Sequence, residues 1–152
     1  MESTNGSIGT LNDLIEINND RVAGFEKAIA DIKDENTDLK EIFQEYASQS
    51  RQFSQELTGL VANEGGEAET GTSAIGSLHR VWIDVKKIFG ASDREGILNE
   101  AERGEDAIKK AYQQALSEGK LSVDARTTVS NEAQQIQAAH DRIKALRDAS
   151  KN

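Results

Sequence analysis

The 152-residue chain contains no cysteine and no proline, one tryptophan, and 5% aromatic residues. Without cysteine there are no disulfides, thiolate metal centres, iron–sulfur ligation or thiol catalysis, which suits a reducing compartment. Without proline, and with glycine gathered in a few places, nothing in the interior demands a turn-rich β architecture. Basic residues are outnumbered, 18 Lys and Arg against 27 Asp and Glu, for a net charge of -9. Nucleic acid and anionic membranes would therefore approach against the protein's own field, whereas a cationic partner or divalent metal would not. No apolar run reaches the ~20 residues of a membrane span, and Met1-Glu2-Ser3-Thr4-Asn5-Gly6-Ser7 lacks the basic start and apolar run of a secretory signal. The expectation is a cytoplasmic protein. Also missing are a nucleophile elbow with Ser-His-Asp spacing, a nucleotide fingerprint, and a phosphate loop, since Gly65-Gly66 has no adjoining Lys or strand.

What remains is rich in Ala, Glu, Gln, Lys, Asp and Leu, the residues of an all-α protein, in a length that suits a single domain. Residues 1–9, rich in Ser, Gly and Asn, read as a flexible N-terminus, and residues 10–149 as one helical bundle domain. Thr10 or Ser7 can cap a first helix with the row Leu11, Ile15, Val22, Phe25, Ile29 and Ile32. The short polar stretch 34–38 turns the chain into a second helix over 39–61, with Leu39, Phe43, Tyr46, Phe53, Leu57 and Leu60 on one face. An acidic, Gly-rich linker, 63–72, precedes a shorter helix over 73–89 carrying Ile75, Leu78, Trp82, Val85 and Phe89. Ser92-Asp93-Arg94-Glu95 reads as a capping box for a helix to about Glu118, whose row is Leu98, Ala101, Ile108, Tyr112 and Ala115. Gly119 closes it, and Ser122 or Val123 opens a last helix with Val129, Ala133, Ile136, His140, Ile143 and Leu146. Four long helices plus a short crossover helix imply a four-helix bundle running up, down, down, up, the ferritin-like connection.

Each row has a polar break: Asn18, Ser50 with Gln49 beside it, Glu105, and His140. A carboxylate where a Leu belongs must be protonated, paired, metal-bound or swung out to solvent, because burying it alone costs several kcal/mol. At ~1.5 Å of rise per residue, Glu45, Glu102 and His140 fall at similar heights, about 9–13 Å from one end, with Glu26 near that level. Converging acids and an imidazole suit a di-iron or di-manganese centre. The Glu-x-x-His pair such a centre uses is nevertheless absent, with Gln137 ahead of His140 and Ser48 after Glu45. The simpler readings are a His140 bonded to a carboxylate such as Glu102 or Glu105, a Trp82 that anchors the short helix, and a close helix approach at Gly104 and Gly24. Arg21, Arg51, Arg103 and Arg142 flank the rows and can each neutralise a neighbouring acid.

Leu11-Asn-Asp-Leu-Ile-Glu16, Leu78-His-Arg-Val-Trp-Ile-Asp84, Glu102-Arg-Gly-Glu-Asp106 and His140-Asp-Arg-Ile143 occur in this order. Through them the chain resembles, over about residues 8–149, a bacterial family named domain of unknown function 2383. The resemblance implies a ferritin-like four-helix bundle and leaves the activity open. If it carries a metal site over, the positions are Glu16 or Asp20, Glu45, Glu102 and Glu105, and His140, holding iron or manganese. No catalytic residue is assigned. The expected role is a non-catalytic cytoplasmic interaction or stress-associated protein with a degenerate metal site, with a second copy of the chain, as a homo-oligomer, among its expected partners. The alternative is a metal-binding oxidoreductase or metal-storage protein.

Overall fold

A computed structural model describes residues 2–68 and 94–150. Among the described residues the chain is all-helical, with four long helices: α1 Glu2–Asp31, α2 Thr37–Asn63, α3 Arg94–Ser117 and α4 Val123–Ala149. The turn between α1 and α2 includes a single 3-10 turn, Asp34–Asn36. No helix among the described residues is long and apolar enough to cross a membrane. The short helix expected over 73–89, with Trp82 and His79, lies outside the described residues, as does the first half of the capping box at Ser92 and Asp93.

Strict alternation of three and four residues explains which face of each helix is covered. In α1 the buried stripe is Leu11, Leu14, Asn18, Arg21, Phe25 and Ala28, and in α2 it is Leu39, Phe43, Tyr46, Ser50, Phe53 and Leu57. In α3 it is Leu98, Ala101, Glu105, Ile108, Tyr112 and Ala115, and in α4 Ala125, Val129, Glu132, Ile136, Ala139 and Ile143. Several slots that should be apolar are polar. The apolar residues accordingly divide into two clusters, one around Phe25, Phe43, Tyr46 and Leu98, the other around Leu14, Phe53, Ile108 and Val129.

The helices pack as two hairpins, α1 with α2 and α3 with α4, joined face to face through α1 with α3 and α2 with α4. Short connections force each hairpin to be antiparallel. Gly119 takes φ of 70°, the left-handed conformation that ends α3, and the Ser122 hydroxyl then caps α4 by accepting the Ala125 amide. Helix α1 begins at Glu2, well ahead of the Thr10 cap that composition suggests. Tertiary contact supplies the reason: the fully buried Ser7 accepts the Ser122 amide at 3.2 Å. At the same end of the bundle, Gly66 passes so close to Ile8 that a β-carbon there would lie 2.8 Å from its side chain. Pairing with the α3–α4 turn and the end of α2 outweighs the weak helix propensity of Gly6 and Gly9.

Candidate functional site

The polar slots of the four stripes meet in the middle of the bundle and form one connected set. Arg21 and Glu105, both 0% exposed, make a two-pronged pair from α1 to α3: Nε donates to Oε1 at 2.8 Å and Nη2 to Oε2 at 2.7 Å. The other guanidinium nitrogen, Nη1, donates to Gln49 Oε1 and Ser50 Oγ on α2, each at 2.9 Å. The guanidinium carbon also lies 5.4 Å from the ring centroids of Phe25 and Tyr46, close enough for cation–π attraction. Four of the five guanidinium N–H groups are used, and both carboxylate oxygens of Glu105 are filled. A charge pair this deep is tolerated because nearly every donor and acceptor has a partner.

From Arg21 the bonds continue in one direction. Ser50 Oγ donates to Asn18 Oδ1 at 2.9 Å, Asn18 Nδ2 donates to the Tyr112 hydroxyl at 2.8 Å, and that hydroxyl donates to Glu132 Oε1 at 2.8 Å. Asn18 Nδ2 also reaches the Leu14 carbonyl at 2.9 Å, which holds the amide in this orientation. The relay thus begins at a guanidinium and ends at a carboxyl, with α1, α2, α3 and α4 all contributing.

Among the described residues no cation stands beside Glu132. Burial, followed by the Glu56 carboxyl against it, raises its pKa to about 9, and the phenol of Tyr112 offsets only part of that. Near neutral pH it is a neutral acid. Tyr112 is held well above the ordinary tyrosine value by burial and by the neighbouring Glu132. Glu132 Oε2 is buried without a hydrogen-bond donor from the protein.

The metal candidates do not join this set as a group. Glu105 is held by Arg21. His140, on α4, lies with Nε2 2.6 Å from Asp106 and Nδ1 3.1 Å from Asp141, so its carboxylates are neither Glu102 nor Glu105. Asp106 sits one residue past Glu105, turned about 100° around α3, which separates the imidazole from the buried pair. The His140 and Gln137 bonds hold the exposed Asp141 carboxyl below its usual range. Glu102 pairs with Arg147 and Glu45 with Arg142. Asp20 is buried and Glu16 half-buried, one turn apart on α1 and off the stripe that carries Asn18 and Arg21. Among the described residues no three His, Cys, Asp or Glu side chains form a group that could hold a metal ion. Each of the four flagged arginines does neutralise an acid: Arg21 with Glu105, Arg51 with Glu26, Arg103 with Glu100, and Arg142 with Glu45.

Residues 7–118 match the family model described as domain of unknown function 2383. The chain belongs to that family. The matched region carries Asn18, Arg21, Gln49, Ser50, Glu105 and Tyr112, so all of the relay except its acidic end on α4 lies within the family domain. No curated protein matches this member of domain of unknown function 2383.

Proposed function

We propose that this chain is a ferritin-like bundle in which the Arg21 guanidinium is the resident cation of the core, and that it works as a non-catalytic cytoplasmic interaction protein, stress-associated in role, rather than as a metal enzyme. The observation that carries the reading is the fully buried two-pronged Arg21–Glu105 pair. In ferritin-like metal bundles, carboxylates and histidines from all four helices project inward and share the ions. Here the inward carboxylate has both oxygens on a guanidinium, and His140 is held apart on Asp106. A divalent ion at Glu105 would have to sit beside a fixed positive charge or expel it, and removing one partner of a buried pair costs about 3–5 kcal/mol. Among the described residues the donor set does not fit a two-metal centre.

An up, down, down, up course is supported by the ends of the helices. Arg94, which opens α3, grips Asp38 at the start of α2 through bonds of 2.9 and 2.7 Å. On this reading the chain that leaves α2 at its far end returns along the bundle before α3 begins. A short crossover helix over 73–89 would carry that return.

Metal analysis of the full-length protein, purified from iron- and manganese-supplemented medium, tests the reading together with its mass in solution. The expected result is metal far below one ion per chain, whatever the oligomeric state. Stoichiometric iron or manganese that is lost in His140→Ala would overturn it in favour of the oxidoreductase or storage alternative.

A further inference from the structure

Two carboxylates are covered on a side of the bundle that none of its four helices closes. At ~100° of turn per residue, Asp20 and Glu26 stand on opposite sides of the buried stripe of α1, and Glu100 and Asp106 on opposite sides of the stripe of α3, all of them more than about 100° from its centre. Helix α2 lies on the Glu26 side, through the Arg51–Glu26 pair and the bond from Ser54 to Asn19, and α4 lies on the Asp106 side, through His140. Even there the carboxylates stay open, with the Glu26 and Asp106 side chains 54% and 52% exposed. Asp20 and Glu100 point away from both α2 and α4, along the seam of α1 with α3, and yet are only 3% and 5% exposed. Ile97, buried, and Ile17, partly buried, border the same seam. A single chain buries these residues, so the cover is part of that chain.

We propose that the outer seam of α1 and α3 is the docking surface for residues 73–89 of the same chain, seated by the row Leu78, Trp82, Val85 and Phe89. The two ends of that stretch lead to the seam. Leaving α2, the chain sets Gly66 against Ile8, and the Glu67 carbonyl accepts Asn12 Nδ2 at 3.0 Å, which carries it across the outer surface of α1 near the start of that helix. It re-enters at Arg94, bonded to Asp38 at the opposite end of the bundle. From Asn12 to Asp31 α1 rises ~28 Å, and a helix over 73–89 spans ~25 Å, with residues 69–72 and 90–93 left for the connections. Charge agrees with length. The stretch carries three cations, Arg80, Lys86 and Lys87, against one acid, Asp84, in a chain whose net charge is -9. Those cations suit a surface that takes two carboxylates out of water, where Arg103, 3.2 Å from Glu100, flanks only one of them. The docking rests on the up, down, down, up course proposed above and is independent of the Arg21–Glu105 pair.

With no cysteine and a single tryptophan in the chain, a nitroxide on one introduced cysteine reports its distance from Trp82 by quenching the fluorescence. Lys27→Cys on α1 and Arg103→Cys on α3 flank the seam, Gln135→Cys lies on the α2 side of α4, and all three positions are exposed. The full chain labelled at Lys27 or Arg103 should lose most of its Trp82 emission and regain it when the nitroxide is reduced, whereas the chain labelled at Gln135 should lose little. The proposal is overturned by quenching that is strongest from Gln135, or by quenching that is weak from all three positions. It is also overturned if labelled Trp82→Phe chain, refolded together with unlabelled parent, quenches the parent, because the occupant of the seam is then a second copy. None of these outcomes touches the Arg94–Asp38 bonds, so the docking can fail while the course of the four helices stands.

Discussion

Two glutamates of equal burial sit in the same bundle and are kept there by opposite means. Glu105 meets a guanidinium with both oxygens, whereas Glu132 meets a phenol and another carboxyl and keeps its proton. The first arrangement stores charge in the core and depends on its partner. The second avoids charge and leaves an acid whose proton can be exchanged near physiological pH. Burial alone does not decide what a core carboxyl does; what decides it is the nearest cation.

The comparison breaks most sharply at Glu105. Glu105→Leu completes the apolar stripe of α3 but strands the Arg21 guanidinium, so denaturant unfolding should show a loss of about 3–5 kcal/mol. A neutral effect would mean that the pair is not closed in solution.

At Glu132 the expected sign is reversed. Its folded pKa, raised to about 9 from an ordinary 4.5, means that between those values the unfolded chain has released a proton that the folded chain still holds. Stability therefore falls as pH rises from about 4.5 to about 9, and is unaffected by this group below that window. Glu132→Gln, which mimics the neutral acid, should be more stable than the parent by about 2–3 kcal/mol at pH 7 and indistinguishable from it near pH 4, read from unfolding curves at the two pH values.

The link between the two regions is the Tyr112 hydroxyl. Tyr112→Phe leaves Asn18 and Glu132 short of a partner and should cost about 1–2 kcal/mol in thermal or denaturant unfolding. The surface ion pairs should matter least. Arg51→Ala, which frees the exposed Glu26, should change stability by under about 0.5 kcal/mol, with the difference vanishing in high salt.

Four long helices were readable from the recurrence of Leu, Ile, Phe and Ala, and the polar breaks at Asn18, Ser50 and Glu105 marked where the relay would form. Arg21 was read as a flank because a long cation is most often exposed, yet it falls three residues after Asn18 and four before Phe25, on the buried stripe. Glu132 was hidden in the same way. Ala133 took its place in the apolar row, because 129, 133 and 136 alternate by four and three just as the buried 129, 132 and 136 alternate by three and four. The same holds for 18, 22 and 25 against 18, 21 and 25, so spacing alone does not choose between the two rows and the packing of the neighbouring helices does. The partner of His140 was beyond such reasoning, since choosing Asp106 over Glu102 or Glu105 depends on how far α3 is rotated against α4, and one residue turns a side chain by about 100°. The early start of α1 was likewise set by Ser7 meeting Ser122, more than a hundred residues away in sequence.

A double-mutant cycle on Arg21→Met and Glu105→Leu, followed by denaturant unfolding, measures the central pair most directly. Each single change should cost about 3–5 kcal/mol, and the double variant should be more stable than either single one, because no uncompensated charge is left inside. Losses that simply add, leaving the double variant the least stable of the three, would contradict the claim that a guanidinium and a carboxylate hold each other at the centre of this bundle.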